Sequence, residues 1–88
     1  MAYCHSCDVE DLKRIKASGH LRAPVFVYSG SATSYNPARD CVLTLNLRGF
    51  QLRKDPHPYA TEGYFVIDRN IPASRIVNVK YYWGTEND

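Results

Sequence analysis

Apolar and polar residues alternate along this chain in a way that predicts one helix and about five strands. The strand segments are short runs that are either continuously apolar or apolar at every second position. They lie at residues 2–5, 25–28, 41–47, 64–68 and 76–83. Because the helix falls between the first two strands and four strands follow it, the order predicts an α+β domain with a mostly antiparallel sheet.

The helix is predicted over residues 9–18, where apolar side chains recur at a spacing of three from Val9 to Ile15. Asp8 is a favourable N-cap, because its carboxylate can accept a hydrogen bond from an amide of the first turn. Gly19 suits the position after the helix, since glycine adopts a positive φ without a steric cost. The segment therefore has a start signal, an apolar face and a stop signal.

Three strand segments allow predictions about burial. Residues 41–47 place leucine at every second position, which predicts a half-buried strand. Residues 76–83 alternate most cleanly, with Val, Val, Tyr and Trp at the odd positions. This pattern predicts one buried face and a central or near-central place in the sheet. Residues 25–28 are continuously apolar, which predicts a strand covered on both faces.

The connections differ in composition. Residues 29–37 are small and polar, typical of a loop in which a ligand approaches the backbone. Residues 48–63 are the longest stretch without periodicity, and Phe50 and Leu52 are expected to anchor its start against the core. Residues 71–75 suit a single helical turn with a proline near its first position.

Length and composition predict one domain over residues 1–83, with a polar, frayed tail at 84–88. No apolar run approaches the roughly 20 residues of a membrane span, so no membrane partner is expected. Three cysteines are too few and odd in number for a disulfide framework, which predicts a reducing, cytoplasmic location.

The cysteines raise two chemical possibilities. Cys4, Cys7, His20 and Cys41 are zinc-ligand types, and the first two have C-x₂-C spacing, but no second pair of that spacing follows. A thiol nucleophile assisted by His5 or His20 lacks an acid at a recognisable place to orient the histidine. The cysteines are therefore predicted to be small buried hydrophobes, and no metal is expected.

Basic residues and seven tyrosines are interleaved along the chain, a combination that can bind single-stranded nucleic acid. However, nine acidic residues almost balance eleven basic ones. Dispersed charge of this kind is typical of a solvated surface, and the net charge of +2 does not by itself indicate a nucleic-acid partner.

Several short motifs resemble those of ADP-ribosyltransferase-like domains, the group that includes diphtheria toxin and poly-ADP-ribose polymerases. Residues 3–6 (Tyr-Cys-His-Ser) and the helix ending in I-x-x-x-G at 15–19 resemble the opening of that family. Residues 25–28 and the polar stretch after them resemble its second strand. Residues 62–67 resemble the place where a glutamate enters a strand, and 71–76 the I-P turn before the last strand. The resemblance implies a reduced ADP-ribosyltransferase-like fold.

The resemblance also implies a function, mono-ADP-ribosylation with NAD as the substrate, although no G-x-G-x-x-G motif is present. Glu62 is the implied catalytic residue, since a carboxylate stabilises the positive charge that develops on the ribose carbon as nicotinamide leaves. The second glutamate of the family motif has no counterpart, because that position is Tyr64. The implied NAD-binding residues are His5, Ser6, Tyr28, Ser29 and Tyr35. We expect them around a pocket between the end of the first strand and the loop after Ser29.

Each of these residues also has an ordinary structural role open to it, because a fold does not imply a function. Two hypotheses therefore stand. The protein is a mono-ADP-ribosyltransferase that modifies a protein or nucleic-acid target. Alternatively, it is a non-catalytic binding protein or inhibitor, for example one encoded by a phage or mobile element, that acts through a tyrosine-rich surface.

Overall fold

A computed structural model describes residues 2–29, 40–57 and 63–81 of the chain. These residues form one α-helix, α1 (Val9–Ser18), and a short 3₁₀ helix (Ala73–Arg75). The strands are β1 (Tyr3–Cys7), β2 (His20–Leu21), β3 (Val25–Ser29), β4 (Cys41–Leu45), β5 (Arg53–Lys54), β6 (Tyr64–Ile67), β7 (Ile71–Pro72) and β8 (Ile76–Tyr81). Neither helix has the length and apolar composition that crossing a membrane requires.

Six strands form one antiparallel sheet in the order β5-β6-β3-β1-β4-β8, and β2 pairs with β7 separately. The predicted class, α+β with one helix and a mostly antiparallel sheet, is confirmed. The predicted number of strands was too low. The three strands that the pattern missed are each two residues long, and two residues are too few to show a period.

The helix begins and ends where the sequence predicts. Asp8 and Asp11 form a capping box, in which the Asp11 carboxylate accepts the Asp8 amide at 3.3 Å. The Asp40 carboxylate accepts the Val9 amide at 3.1 Å, so a residue from the start of β4 helps to cap the helix. Gly19 ends α1 in the left-handed region at φ 85°, and its amide donates to the carbonyl of Ile15.

The core lies between α1 and one face of the sheet, which we call the helix face; the opposite face is the outer face. Leu12 and Ile15 of α1 are buried against strand residues at alternate positions. The predicted leucine face of β4 is confirmed, since Leu43 and Leu45 are fully buried and Leu47 nearly so, but the strand is not half-buried, because Val42 on the opposite face is also buried. The buried strand residues that pack with α1 are Cys7, Leu21, Val25, Val27, Cys41, Leu43, Leu45, Ile67 and Ile71.

The predicted central place of the last strand was wrong. Within the described residues, β8 lies at the edge of the sheet and pairs with β4 alone. The pairing shifts between Thr44 and Leu45, so Val77 is an extra residue and is 63% exposed. Because this β-bulge reverses the alternation before it, Ile76 packs against the core on the same side as Val79. Tyr82 and Trp83 lie outside the described residues.

The prediction that β3 is covered on both faces was also wrong. Val25 and Val27 are 2% exposed on the helix face, whereas Phe26 on the outer face is 50% exposed. A continuously apolar run therefore forms a strand with only one fully buried face. Two other expectations are confirmed: Phe50 and Leu52 pack against the core, and Pro72 directly precedes the 3₁₀ helix.

Candidate functional site

An open cleft of about 600 Å³ runs along α1 on the helix face. One wall is the second half of α1, and the other is the connection from β2 to β3. Apolar side chains from Ile15, Leu21 and Val25 form part of its lining. The polar side chains that line it are His5, Asp11, Arg14, Ser18, His20 and Arg22.

The cleft opens where β1 and β3 stop pairing. Their backbone register joins Tyr3 to Ser29 and Cys4 to Tyr28, and goes no further. At the next residue the two strands are joined by the His5 side chain, whose Nδ1 lies 2.7 Å from the carbonyl oxygen of Phe26. The histidine thus bridges the two strands with its side chain and lines the adjoining cleft.

The contact with Phe26 determines the tautomer of His5. A carbonyl oxygen only accepts hydrogen bonds, so Nδ1 must carry the hydrogen and donate it. In the neutral imidazole the lone pair therefore lies on Nε2, which is the nitrogen able to accept a hydrogen bond or a proton. His5 is held in one orientation by a backbone contact, an arrangement common for binding and acid–base histidines.

The charged groups of the cleft include both signs. Arg14 donates to the Asp11 carboxylate at 3.1 Å across one turn of α1, and its side chain is largely exposed. Arg22 and His20 line the opposite wall. Two arginines and two histidines thus border one apolar floor, a combination suited to an anionic ligand with an apolar or aromatic part.

The NAD-binding residues that the resemblance implies lie on different faces of the sheet. In the regular pairing of β1 with β4, His5 shares a face with the buried Leu43, whereas Ser6 shares the outer face with Val42. Ser6 and Tyr28 are brought together on that outer face, with 3.0 Å between their hydroxyl oxygens. They therefore lie across the sheet from His5.

The other implied residues lie elsewhere. Ser29 is the half-buried last residue of β3, and its amide donates to the carbonyl of Gly63 at 2.8 Å. Tyr35 and Glu62 lie outside the described residues, as does most of the predicted 29–37 loop. Since β1 and β3 are antiparallel, the end of β1 lies beside the start of β3. The cleft occupies that end of the strand pair, and the chain after Ser29 leaves from the other.

The cysteines occupy two environments. Cys4 is half-buried on the outer face, and Cys7 and Cys41 are buried directly opposite each other on β1 and β4, with 3.6 Å between the sulfur atoms. Burial raises the pKa of the Cys4 and Cys41 thiols above the ordinary value of 9.0, despite hydrogen bonds from Thr44 and Cys7 that oppose the shift. Across the described ranges, no three His, Cys, Asp or Glu side chains are grouped to hold a metal ion.

Sequence reasoning missed Arg14 and Arg22 as site residues and considered His20 only as a zinc ligand or as the partner of a thiol nucleophile. A local signal exists for Arg14, because it lies three residues after Asp11 and four before Ser18 and therefore shares one side of α1 with them. No comparable signal identifies Arg22, whose position depends on the pairing of β2 with β7 about fifty residues later. Comparisons of the chain with protein-family models, curated proteins and solved structures gave no match.

Proposed function

We propose that the protein binds NAD in the cleft along α1 and uses it as the donor in mono-ADP-ribosylation of a macromolecule. The volume of about 600 Å³ lies within the roughly 300–1,000 Å³ typical of small-molecule sites. Arg14 and Arg22 offer planar donors to the pyrophosphate, and the apolar floor offers a surface to a ring.

The observation that carries the proposal is the placement of His5. Its side chain replaces the backbone pairing of β1 and β3 and lines the cleft that this separation opens. A polar residue beside buried core residues needs a polar partner, and the Phe26 carbonyl supplies one to Nδ1. We assign to Nε2 a hydrogen bond with a ribose hydroxyl of the ligand.

The proposed transfer step rests on the resemblance to ADP-ribosyltransferase-like domains. The bond between the ribose carbon and the nicotinamide nitrogen breaks, and nicotinamide leaves with the electron pair. The ribose carbon then bonds to a nucleophile of the target, which loses a proton. Glu62 is the proposed carboxylate that stabilises the cationic ribose during this exchange.

Calorimetric titration of the full chain with NAD tests the binding site. His5→Asn is the sharpest variant, because its amide nitrogen can keep the contact with the Phe26 carbonyl while Nε2 is removed. Tyr28→Phe is the matched control, since it removes a hydroxyl on the outer face. We expect a roughly tenfold loss of affinity in His5→Asn and wild-type affinity in Tyr28→Phe.

The reverse pattern, with weakening by Tyr28→Phe alone, would place the ligand on the outer face and overturn the assignment to the α1 cleft. No binding at millimolar NAD would remove the transferase hypothesis altogether. Transfer is followed separately with labelled NAD: Glu62→Gln should abolish it and leave the affinity largely unchanged, because the carboxylate acts on the transition state.

A second function, binding of a partner protein as an inhibitor, is favoured by the outer face. Phe26 is 50% exposed there, and a second hollow of about 330 Å³ lies beside it, bordered by Pro56. The rings of Tyr28 and Tyr64 pack 5.9 Å apart on the same face. If the protein is an inhibitor, the immobilised protein should retain its target protein from the host cell. Phe26→Ser should abolish this retention, whereas Val77→Thr at the exposed bulge should not.

A further inference from the structure

Side-chain carboxylates gather at the start of α1, and two of them are paired with Lys13 and Arg14 one turn later. The acidic end contains the capping-box residues Asp8 and Asp11, together with Glu10 and the Asp40 carboxylate that accepts the Val9 amide. A helix of ten residues is about 15 Å long, so its other end is well removed from these carboxylates.

Arginines gather at the other end. The carbonyl of Gly19, just after α1, accepts the Ala73 amide at 2.9 Å, which fixes the 3₁₀ helix beside the end of α1. Arg75 is the last residue of that 3₁₀ helix. Its Nη1 donates to the carbonyl of Arg48 at 2.7 Å and to that of Asn46 at 3.2 Å.

Two guanidinium groups share one aromatic ring at this end. The Cζ atom of Arg69 lies 4.9 Å from the centroid of the Phe50 ring, and that of Arg75 lies 5.1 Å from it. We call Phe50, Arg69 and Arg75 the Phe50 cluster, together with Arg48, whose backbone carbonyl accepts from Arg75 and whose side chain is exposed. Arg75 uses Nη1 for the two backbone carbonyls, whereas the exposed Arg69 makes its contact through the ring and can still donate N–H groups to another partner.

Carboxylates do not neutralise this cluster within the described residues. Arg48 and Arg69 are exposed, and neither guanidinium has an ion pair there. Asp68, although adjacent to Arg69 in sequence, accepts two hydrogen bonds from Arg53 at 2.8 and 2.9 Å. The charge of the Phe50 cluster is therefore available to an external anion.

We propose that the Phe50 cluster binds the phosphodiester backbone of single-stranded nucleic acid. The planar donor edge of arginine matches phosphate oxygens, and the outer plane of a guanidinium is a surface on which a base can stack. Because the cluster offers no arrangement that reads base edges, binding is independent of sequence.

The test is the fluorescence anisotropy of a labelled twelve-nucleotide oligothymidine titrated with the full chain at about 50 mM salt and above. The test variant is Arg48→Gln combined with Arg69→Gln. Arg75 is kept, because its contacts with two carbonyls stabilise the fold. Arg53→Gln is the control for the loss of an arginine outside the cluster, since Arg53 is exposed but already paired with Asp68.

We expect the double variant to lose at least tenfold in affinity and the control less than twofold. Each lost phosphate contact should also reduce the slope of log affinity against log salt by about 0.7. Equal losses in the control, or equal binding of poly-glutamate or of anionic lipid vesicles, would overturn the proposal. NAD has no part in this assay, so its outcome is independent of the proposed transferase function.

Discussion

The two faces of the six-stranded sheet are built from alternate residues of the same strands, yet they differ in both packing and chemistry. On the helix face, Leu43 and Leu45 are fully buried beneath α1. On the outer face, Val66 and Val42 are buried, but Thr44 is half-buried and Phe26 is half-exposed. The helix face therefore carries the main core cluster, whereas the outer face also presents hydroxyl and aromatic groups.

His5 is an exception to this difference between the two faces. It lies on the helix face, in register with Leu43, where an apolar residue is expected. Its ring satisfies the Phe26 carbonyl instead of packing against α1, and a cleft opens beside it. A polar residue on the core face of a strand thus marks a candidate site more specifically than the many polar residues on the outer face.

The largest expected effect separates the two faces on one strand. Leu43→Ala should lower the free energy of unfolding by about 2–5 kcal/mol, because it leaves a cavity at the centre of the core. Thr44→Ala, its neighbour on the outer face, should cost about 1 kcal/mol or less, because the Thr44 side chain is only half-buried. Urea denaturation followed by circular dichroism measures both. Equal losses would show that both faces are packed equally.

Local patterns predicted the elements whose signals are contained within one segment. The helix has its cap at Asp8 and its stop at Gly19, and both function as predicted. The leucines of β4 face the core because strand side chains alternate regardless of the partner. These features depend on residues a few positions apart, so they are visible in the sequence.

The features that sequence reasoning missed depend on residues far apart in the chain. The bulge at Val77 is imposed by pairing with Thr44 and Leu45, which lie more than thirty residues earlier. Arg53–Lys54 becomes a strand only because β6 pairs with it. The cleft likewise depends on the contact between His5 and the carbonyl of Phe26, twenty-one positions later. A single sequence contains no signal for such pairings.

The bulge provides a smaller and sharper test of the same comparison. Val79→Thr places a hydroxyl against the core and should cost about 1 kcal/mol or more. Val77→Thr makes the same chemical change at a 63% exposed position and should alter the free energy of unfolding by about 0.5 kcal/mol or less. If Val77→Thr proved the more damaging, the alternation predicted from the sequence alone would be right and the bulge misplaced.

The smallest expected effect concerns the cysteines. It compares the thiols on the two faces of the sheet by their ionisation and not by their packing. Burial raises the pKa of both the Cys4 and the Cys41 thiols above 9.0. The folded state therefore holds these protons more tightly than the unfolded chain does. The stability that they contribute is complete below the ordinary pKa and is lost as the pH rises toward the raised values. Cys41→Ala should flatten the fall in the free energy of unfolding above pH 9, compared with the wild-type protein.

Thiol labelling separates the two environments directly. Cys4 is half-buried on the outer face, whereas Cys7 and Cys41 are 1% and 0% exposed and in contact with each other. With a disulfide reagent at pH 8, we expect one thiol to react in the native protein and three in urea, because the reagent must reach the sulfur atom. Cys4→Ala should remove the native reaction. Two or three thiols reacting at one rate without denaturant would mean that the helix face opens as readily as the outer face, and the contrast between them would not hold.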